Sequence, residues 1–243
     1  MSAVEAGFVA KTAALVRKDA VVEARGRDTF VPMLVFALSV SLLLAFTLPE
    51  PSVRRTAGEL PVGAVSVADV LAGFLWITIL FAGLIAFART FEIDREEGAL
   101  EALLLAPLDR SGLFVAKAAV NLGVITLMEA LVLPLFALLF GLDLGARWIA
   151  LAAVVALVDV GFVSIGTLVA SVAAQTRSRE LVLPILALPV MVPLFIAAVE
   201  LTSDLLVGEG IGGVAARGWF AVLVAYDVVT GAVAALTFEF VLD

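Results

Sequence analysis

The chain has 243 residues, 63% of them hydrophobic and 16% charged, with a formal net charge of -8. An ordinary soluble domain is roughly half apolar and a quarter charged, so this excess of apolar side chains exceeds one water-soluble core and takes the bilayer as its solvent. The acidic balance argues against nucleic acid, and the absence of histidine and cysteine removes disulfides, thiolate metal sites and the usual axial ligand for haem.

Residues 1–29 carry five basic and four acidic residues ahead of the first apolar run, unlike a cleavable signal. Val4, Phe8, Leu15 and Val22 fall on roughly one side at helical spacing. We expect an interfacial amphipathic helix on the inner membrane face, followed by a permease domain over 30–243. The apolar residues beyond come in unbroken runs, where a β-barrel would alternate, so the fold class is all-α. Six runs are long enough to span, near 30–48, 70–89, 113–140, 148–174, 181–200 and 219–241. Pro134 is a candidate kink in the third, and Pro184, Pro189 and Pro193 predict an irregular fifth.

With the N-terminus cytoplasmic, the inner segments hold eleven of the fifteen basic residues. Arg54, Arg55, Arg147 and Arg217 are the four left outside. Both termini are therefore expected in the cytoplasm, and Trp148 and Trp219 then begin helices at the outer interface.

One inner loop stands apart, REEGALEALLLAPLDRSGLFVAK from Arg95 to Lys117. Glu92 to Ala106 has helical character, with Asp94, Glu97 and Glu101 on one face and Leu100, Leu103 and Leu104 on another. Pro107 ends it, and Asp109-Arg110-Ser111-Gly112 turns into the third span. A short amphipathic helix between two spans either docks in a groove of a soluble partner or lies against lipid.

This loop resembles the signature region of ABC-2-type permeases, and its REEGALE, LLLAPLDRS and K resemble the CcmB family in particular. KDAVVEARGRDTF before the first span, MEALVLPLFALLFG of the third and AYDVV of the last are similar to that family as well. The resemblance implies a six-span, multi-pass subunit of the cell membrane that is not itself an enzyme. It implies an ABC ATPase partner, CcmA, together with CcmC, CcmD and the haem chaperone CcmE. ATP acts through the ATPase, and haem belongs to the pathway rather than to this chain as a cofactor. In that reading the ATPase-coupling residues are Glu96, Glu97, Gly98, Leu100, Glu101, Leu104, Pro107 and Arg110. The alternative is another ABC-2-type permease, exporting a lipid, drug or polysaccharide.

The residues are compatible with an ATPase supplied in trans, because none of the lysines, Lys11, Lys18 and Lys117, sits in a G-x-x-x-x-G-K-[ST] loop. Gly208, Gly210 and Gly213 satisfy G-x-G-x-x-G in an outer loop, without the strand and helix a dinucleotide site needs, and read as a turn. Glu129, Asp159, Asp227 and Glu239 fall within spans with no basic residue at their depth. Intramembrane acids serve as polar glue between helices or as a proton relay or gate. Glu129 has Thr126 one turn before it, and Asp159 has Ser164 and Thr167 farther along its helix. The acids also admit a proton-driven transporter, or a membrane enzyme, but no nucleophile or metal cluster joins them. Gly166, Ala170 and Ala174 repeat every four residues, which lets a helix of this chain, or of a second copy in a homodimer, approach closely.

Overall fold

The computed structural model describes residues 7–48, 66–92, 110–176, 179–210, 212–213 and 218–241, and these are helical almost throughout, without a strand. In chain order the helices are α1 (Phe8–Gly26), α2 (Phe30–Thr47), α3 (Val67–Arg89), α4 (Arg110–Leu139), α5 (Trp148–Ala174), α6 (Arg179–Val207) and α7 (Gly218–Val241). Helices α2 to α6 are each long and apolar enough to cross a membrane, and the described apolar run of α7, Gly218–Ala234, is shorter.

The first corner is closed by its own sequence. Arg27 takes a left-handed conformation (φ 56°) and its N–H bonds to the Glu23 carbonyl at 2.7 Å, ending α1. The Glu23 carboxylate then accepts from the backbone N–H groups of Thr29 and Phe30 at 3.1 and 2.8 Å. Donors that the start of α2 would leave orphaned are thereby satisfied by α1. Helix α3 opens with a capping box. The Ser66 hydroxyl accepts from the Asp69 N–H at 3.0 Å, and the Asp69 carboxylate accepts from the Ser66 N–H at 2.9 Å. Ser203 of α6 donates to the same carboxylate, so the cap also fixes where α6 passes.

Helices α3 and α5 form the centre of the bundle, with 61% of their apolar windows buried, against 17% for α2 at its edge. An edge-to-face chain of aromatic rings runs through that centre. Phe87 meets Phe162 with centroids 5.0 Å apart, Phe162 meets Phe195 at 5.1 Å, and Phe195 meets Trp76 at 5.9 Å. Trp76 is fully buried, and its indole N–H donates to the Thr202 hydroxyl at 2.9 Å. Two glycines make room for the rings. A methyl at Gly166 would run into Phe87, and one at Gly83 would run into Phe162. The small-residue stripe of α5 therefore receives a ring of the same chain at Gly166.

The fifth span differs from expectation. Helix α6 continues without interruption from Arg179 to Val207, through Pro184, Pro189 and Pro193. It also runs seven residues beyond the expected end at 200. Each proline frees one carbonyl a turn earlier, and neighbouring groups offset that loss inside a bundle. Tyr226 of α7 donates its hydroxyl to the Val190 carbonyl at 3.0 Å, one residue past the Pro189 carbonyl that Pro193 frees. Helix α4 likewise runs through Pro134. The G-x-G-x-x-G run marks the end of α6, where Gly208 has φ 109° and the Glu209 N–H bonds to the Asp204 carbonyl at 3.0 Å. Arg147 staples that end to the α4–α5 turn, donating to the carbonyls of Leu205 and Asp143 at 2.6 Å each.

Candidate coupling junction and intramembrane acids

The expected coupling residues Glu96, Glu97, Gly98, Leu100, Glu101, Leu104 and Pro107 lie outside the described residues, as do Val4 and the loop around them. The described chain leaves this segment at Glu92 and resumes at Arg110, the first residue of α4. What is shown is the anchorage on either side.

Two turns into α4, Lys117 is 5% exposed. Its ammonium pairs with the Asp19 carboxylate of α1 at 2.8 Å and stands 5.8 Å over the ring of Phe91. The pair is well shielded, with side chains 7% and 11% exposed, and Lys18 approaches the same carboxylate at 3.0 Å from a more open position. One turn closer to the coupling segment, Gly112 packs against α1. A Cβ there would lie 2.9 Å from the Thr12 hydroxyl and 3.3 Å from the Phe8 ring. Helix α1 thus buries Thr12 and Leu15 and sets Asp19 on the same side, at i, i+3 and i+7. Of the face expected to lie on the membrane, Leu15 is buried in the protein and Phe8 is 45% exposed beside Gly112.

A second chain of contacts ties the junction together. The Thr90 hydroxyl, following α3, bonds to the Asn121 amide oxygen of α4 at 3.1 Å, and the Asn121 amide N–H donates to the Thr167 hydroxyl of α5 at 3.0 Å. Asn121 and Thr167 are buried. Both flanks of the coupling segment are therefore linked by polar bonds to α1, α3, α4 and α5. Sequence reasoning placed Lys117 in the inner loop and did not single out Asp19 or Asn121. The available signal was a lone lysine and a lone asparagine inside the apolar run GLFVAKAAVNLGVITL, each of which needs a buried partner.

Deeper in the bundle, Glu129 of α4 and Asp159 of α5 are each 1% exposed and face one another closely enough to interact electrostatically. Thr126 donates to Asp159 at 3.1 Å, across the helix pair. The local partners expected from sequence serve elsewhere. Ser164 bonds to the Val160 carbonyl, and Thr167 accepts from Asn121. Both Glu129 oxygens and Asp159 Oδ1 are buried without a hydrogen-bond partner among the described residues. Asp227 of α7 is not part of this pair. It lies against Gly161, whose Cβ would come 2.5 Å from its carboxylate. Gly161 is two residues and about 200° of helix away from Asp159. The side chain of Glu239 lies outside the described residues.

The helices and these buried polar groups define a multi-pass α-helical membrane protein. The sequence model of the family described as "CcmB protein" matches residues 10–242, nearly the whole chain. The chain belongs to the CcmB family. It is similar to proteins named heme exporter protein B. The Paracoccus denitrificans protein is 31% identical over 187 residues, which is 77% of this chain and 80% of the relative. The Rhodobacter capsulatus protein is 32% identical over 135 residues, 55% of this chain and 61% of the relative. The Pseudomonas aeruginosa protein is 27% identical over 166 residues, 68% of each chain.

Proposed function

We propose that this chain is the membrane permease subunit of an ABC transporter complex in cytochrome c maturation. It crosses the cytoplasmic membrane six times, α7 included, with both termini in the cytoplasm. ATP is hydrolysed by a partner ATPase of the CcmA type, and the energy serves the handling of haem or the release of a haem chaperone of the CcmE type. CcmC-like and CcmD-like membrane proteins complete the assembly. The observation that carries this reading is the family match over residues 10–242, with the REEGALEALLLAPLDRS segment inside it.

The work is mechanical. The ATPase closes on ATP and displaces the segment Glu92–Ala106, with Glu96, Glu97 and Glu101 meeting basic groups and Leu100 and Leu104 filling a groove. Gly98 allows close approach, Pro107 ends the lever, and Arg110 passes the movement into α4. Lys117–Asp19 carries it to α1, and Asn121 carries it to Thr90 and Thr167. The test is Glu97→Lys combined with Glu101→Lys in the tagged chain. The reading requires loss of the co-purifying ATPase while the membrane partners are retained; an ATPase yield equal to that of the unaltered chain overturns it.

A further inference from the structure

Arg89 closes α3, and none of the contacts above supplies its counter-charge. Lys18 and Lys117 share Asp19, and Glu23 is engaged by the first N–H groups of α2. The Arg89 Nε is buried without a hydrogen-bond partner among the described residues. Its side chain lines two cavities. One is polar and about 50 Å³, bounded by the Lys117–Asp19 pair and Asn121, which is room for a water or two. The other is an apolar cleft of about 250 Å³ walled by Pro32, Phe87, Ala170, Ala173 and Leu183, with Glu92 at its rim.

The cleft continues the small-residue stripe of α5. Phe87 fills the stripe at Gly166, and one turn on Ala170 and Ala173 line open space. Depth is informative too. The 23 residues of α3 rise about 34 Å, a little more than the roughly 30 Å of hydrocarbon. Arg89 at its end is thus level with lipid phosphates, with the apolar walls reaching inward from it.

We propose that this cleft holds one phospholipid of the adjoining leaflet. Its phosphate sits on the Arg89 guanidinium, whose planar fork suits phosphate oxygens. One acyl chain lies over Pro32, Ile85 and Ala88, the accessible part of the lining, with Ala170 at its floor. Glu92 disfavours a head group of net negative charge. A carboxylate accepts from more than one donor, so Glu92 selects a head group carrying an ammonium, and the lipid is phosphatidylethanolamine. Apart from Arg89 and Glu92, the side chains that line the cleft are apolar, which favours a lipid over a soluble anion. This inference needs α3 to span the membrane and does not depend on the partner ATPase.

The test is native mass spectrometry of the full chain, in the complex it purifies with, delipidated and titrated in detergent with phosphatidylethanolamine or phosphatidylglycerol. One phosphatidylethanolamine per chain is expected, with at least ten-fold weaker binding in Arg89→Gln, as befits a lost charge-assisted bond. Ala170→Leu fills the cleft from its apolar side and is expected to expel the lipid with Arg89 intact. Glu92→Gln is expected to raise phosphatidylglycerol to parity. Binding unchanged in both Arg89→Gln and Ala170→Leu overturns the proposal. So does equal binding of the two lipids by the unaltered chain, competition by millimolar inorganic phosphate, or no bound lipid at all because residues 93–109 or a second copy cover the cleft.

Discussion

Replacing Lys117 by methionine keeps the length of the side chain and removes its charge, leaving Asp19 shielded in the α1–α4 contact. Removing one member of a buried ion pair costs about 3–5 kcal/mol. Here Asp19 keeps Lys18 at 3.0 Å, a weaker partner because its side chain is 40% exposed. The expected cost is therefore lower, about 2 kcal/mol, or roughly 30-fold in the undocking of α1. The chain has no cysteine, so an engineered pair reports cleanly. A Cβ at Gly112 would lie 2.9 Å from the Thr12 hydroxyl, which puts the two Cβ atoms within about 4.3 Å, inside the range a disulfide bridges. Thr12→Cys with Gly112→Cys should cross-link readily under mild oxidant, and Lys117→Met should slow that cross-link by up to about the same 30-fold, the limit reached when α1 is mostly undocked. Adding Asp19→Asn should recover most of the loss, because neither charge is then stranded. A cross-linking rate unmoved by Lys117→Met, or a double variant as impaired as the sum of the singles, refutes the pairing as the force that docks α1.

Other consequences follow from the packing. Gly83→Ala and Gly166→Ala each push a methyl into a ring of the Phe87–Phe162 pair and should destabilise by about 1–3 kcal/mol in thermal unfolding in detergent; Gly73→Ala, with nothing within 4 Å of its Cβ, is the matched control. Trp76→Phe keeps a ring against Phe195 and loses the bond to Thr202, with an expected cost of about 1 kcal/mol read the same way. Arg147→Gln frees the Leu205 and Asp143 carbonyls and should speed hydrogen exchange at the end of α6 before any other helix responds. Glu129→Gln exchanges a buried carboxyl that faces Asp159 for a neutral amide and should raise or leave unchanged the thermal midpoint. A marked fall would show that the carboxylate is held by a partner.

The helices were legible because long apolar runs leave a bilayer chain little choice of backbone. Helix α5 begins at Trp148 and ends at Ala174, where the sequence places it. Of the apolar face read in α1 from Val4, Phe8, Leu15 and Val22, Leu15 is buried, and Thr12 is buried beside it. Hydropathy fails where a helix outlasts its apolar stretch. Helix α6 runs on through Glu200, Thr202, Ser203 and Asp204 because Ser203 finds Asp69 and Thr202 finds Trp76. The three prolines of α6 misled because their cost is local and does not end a helix packed inside a bundle. Buried polar partners were the least legible feature. Asp19 and Lys117 are ninety-eight residues apart, and nothing periodic relates them. Thr126 sits at the right spacing for Glu129 yet bonds to Asp159, because side chains at a helix interface also meet the facing helix. The family, by contrast, was legible in the Arg95–Lys117 loop together with KDAVVEARGRDTF, MEALVLPLFALLFG and AYDVV, and the family match covers all of these.

The most direct test of the account is affinity purification of the tagged chain from its native membrane, in a detergent that preserves such complexes, with identification of what accompanies it. The account predicts an ABC ATPase together with a haem-handling membrane protein, both recovered in amounts comparable to the chain itself. Recovery of the chain with no ATPase contradicts it.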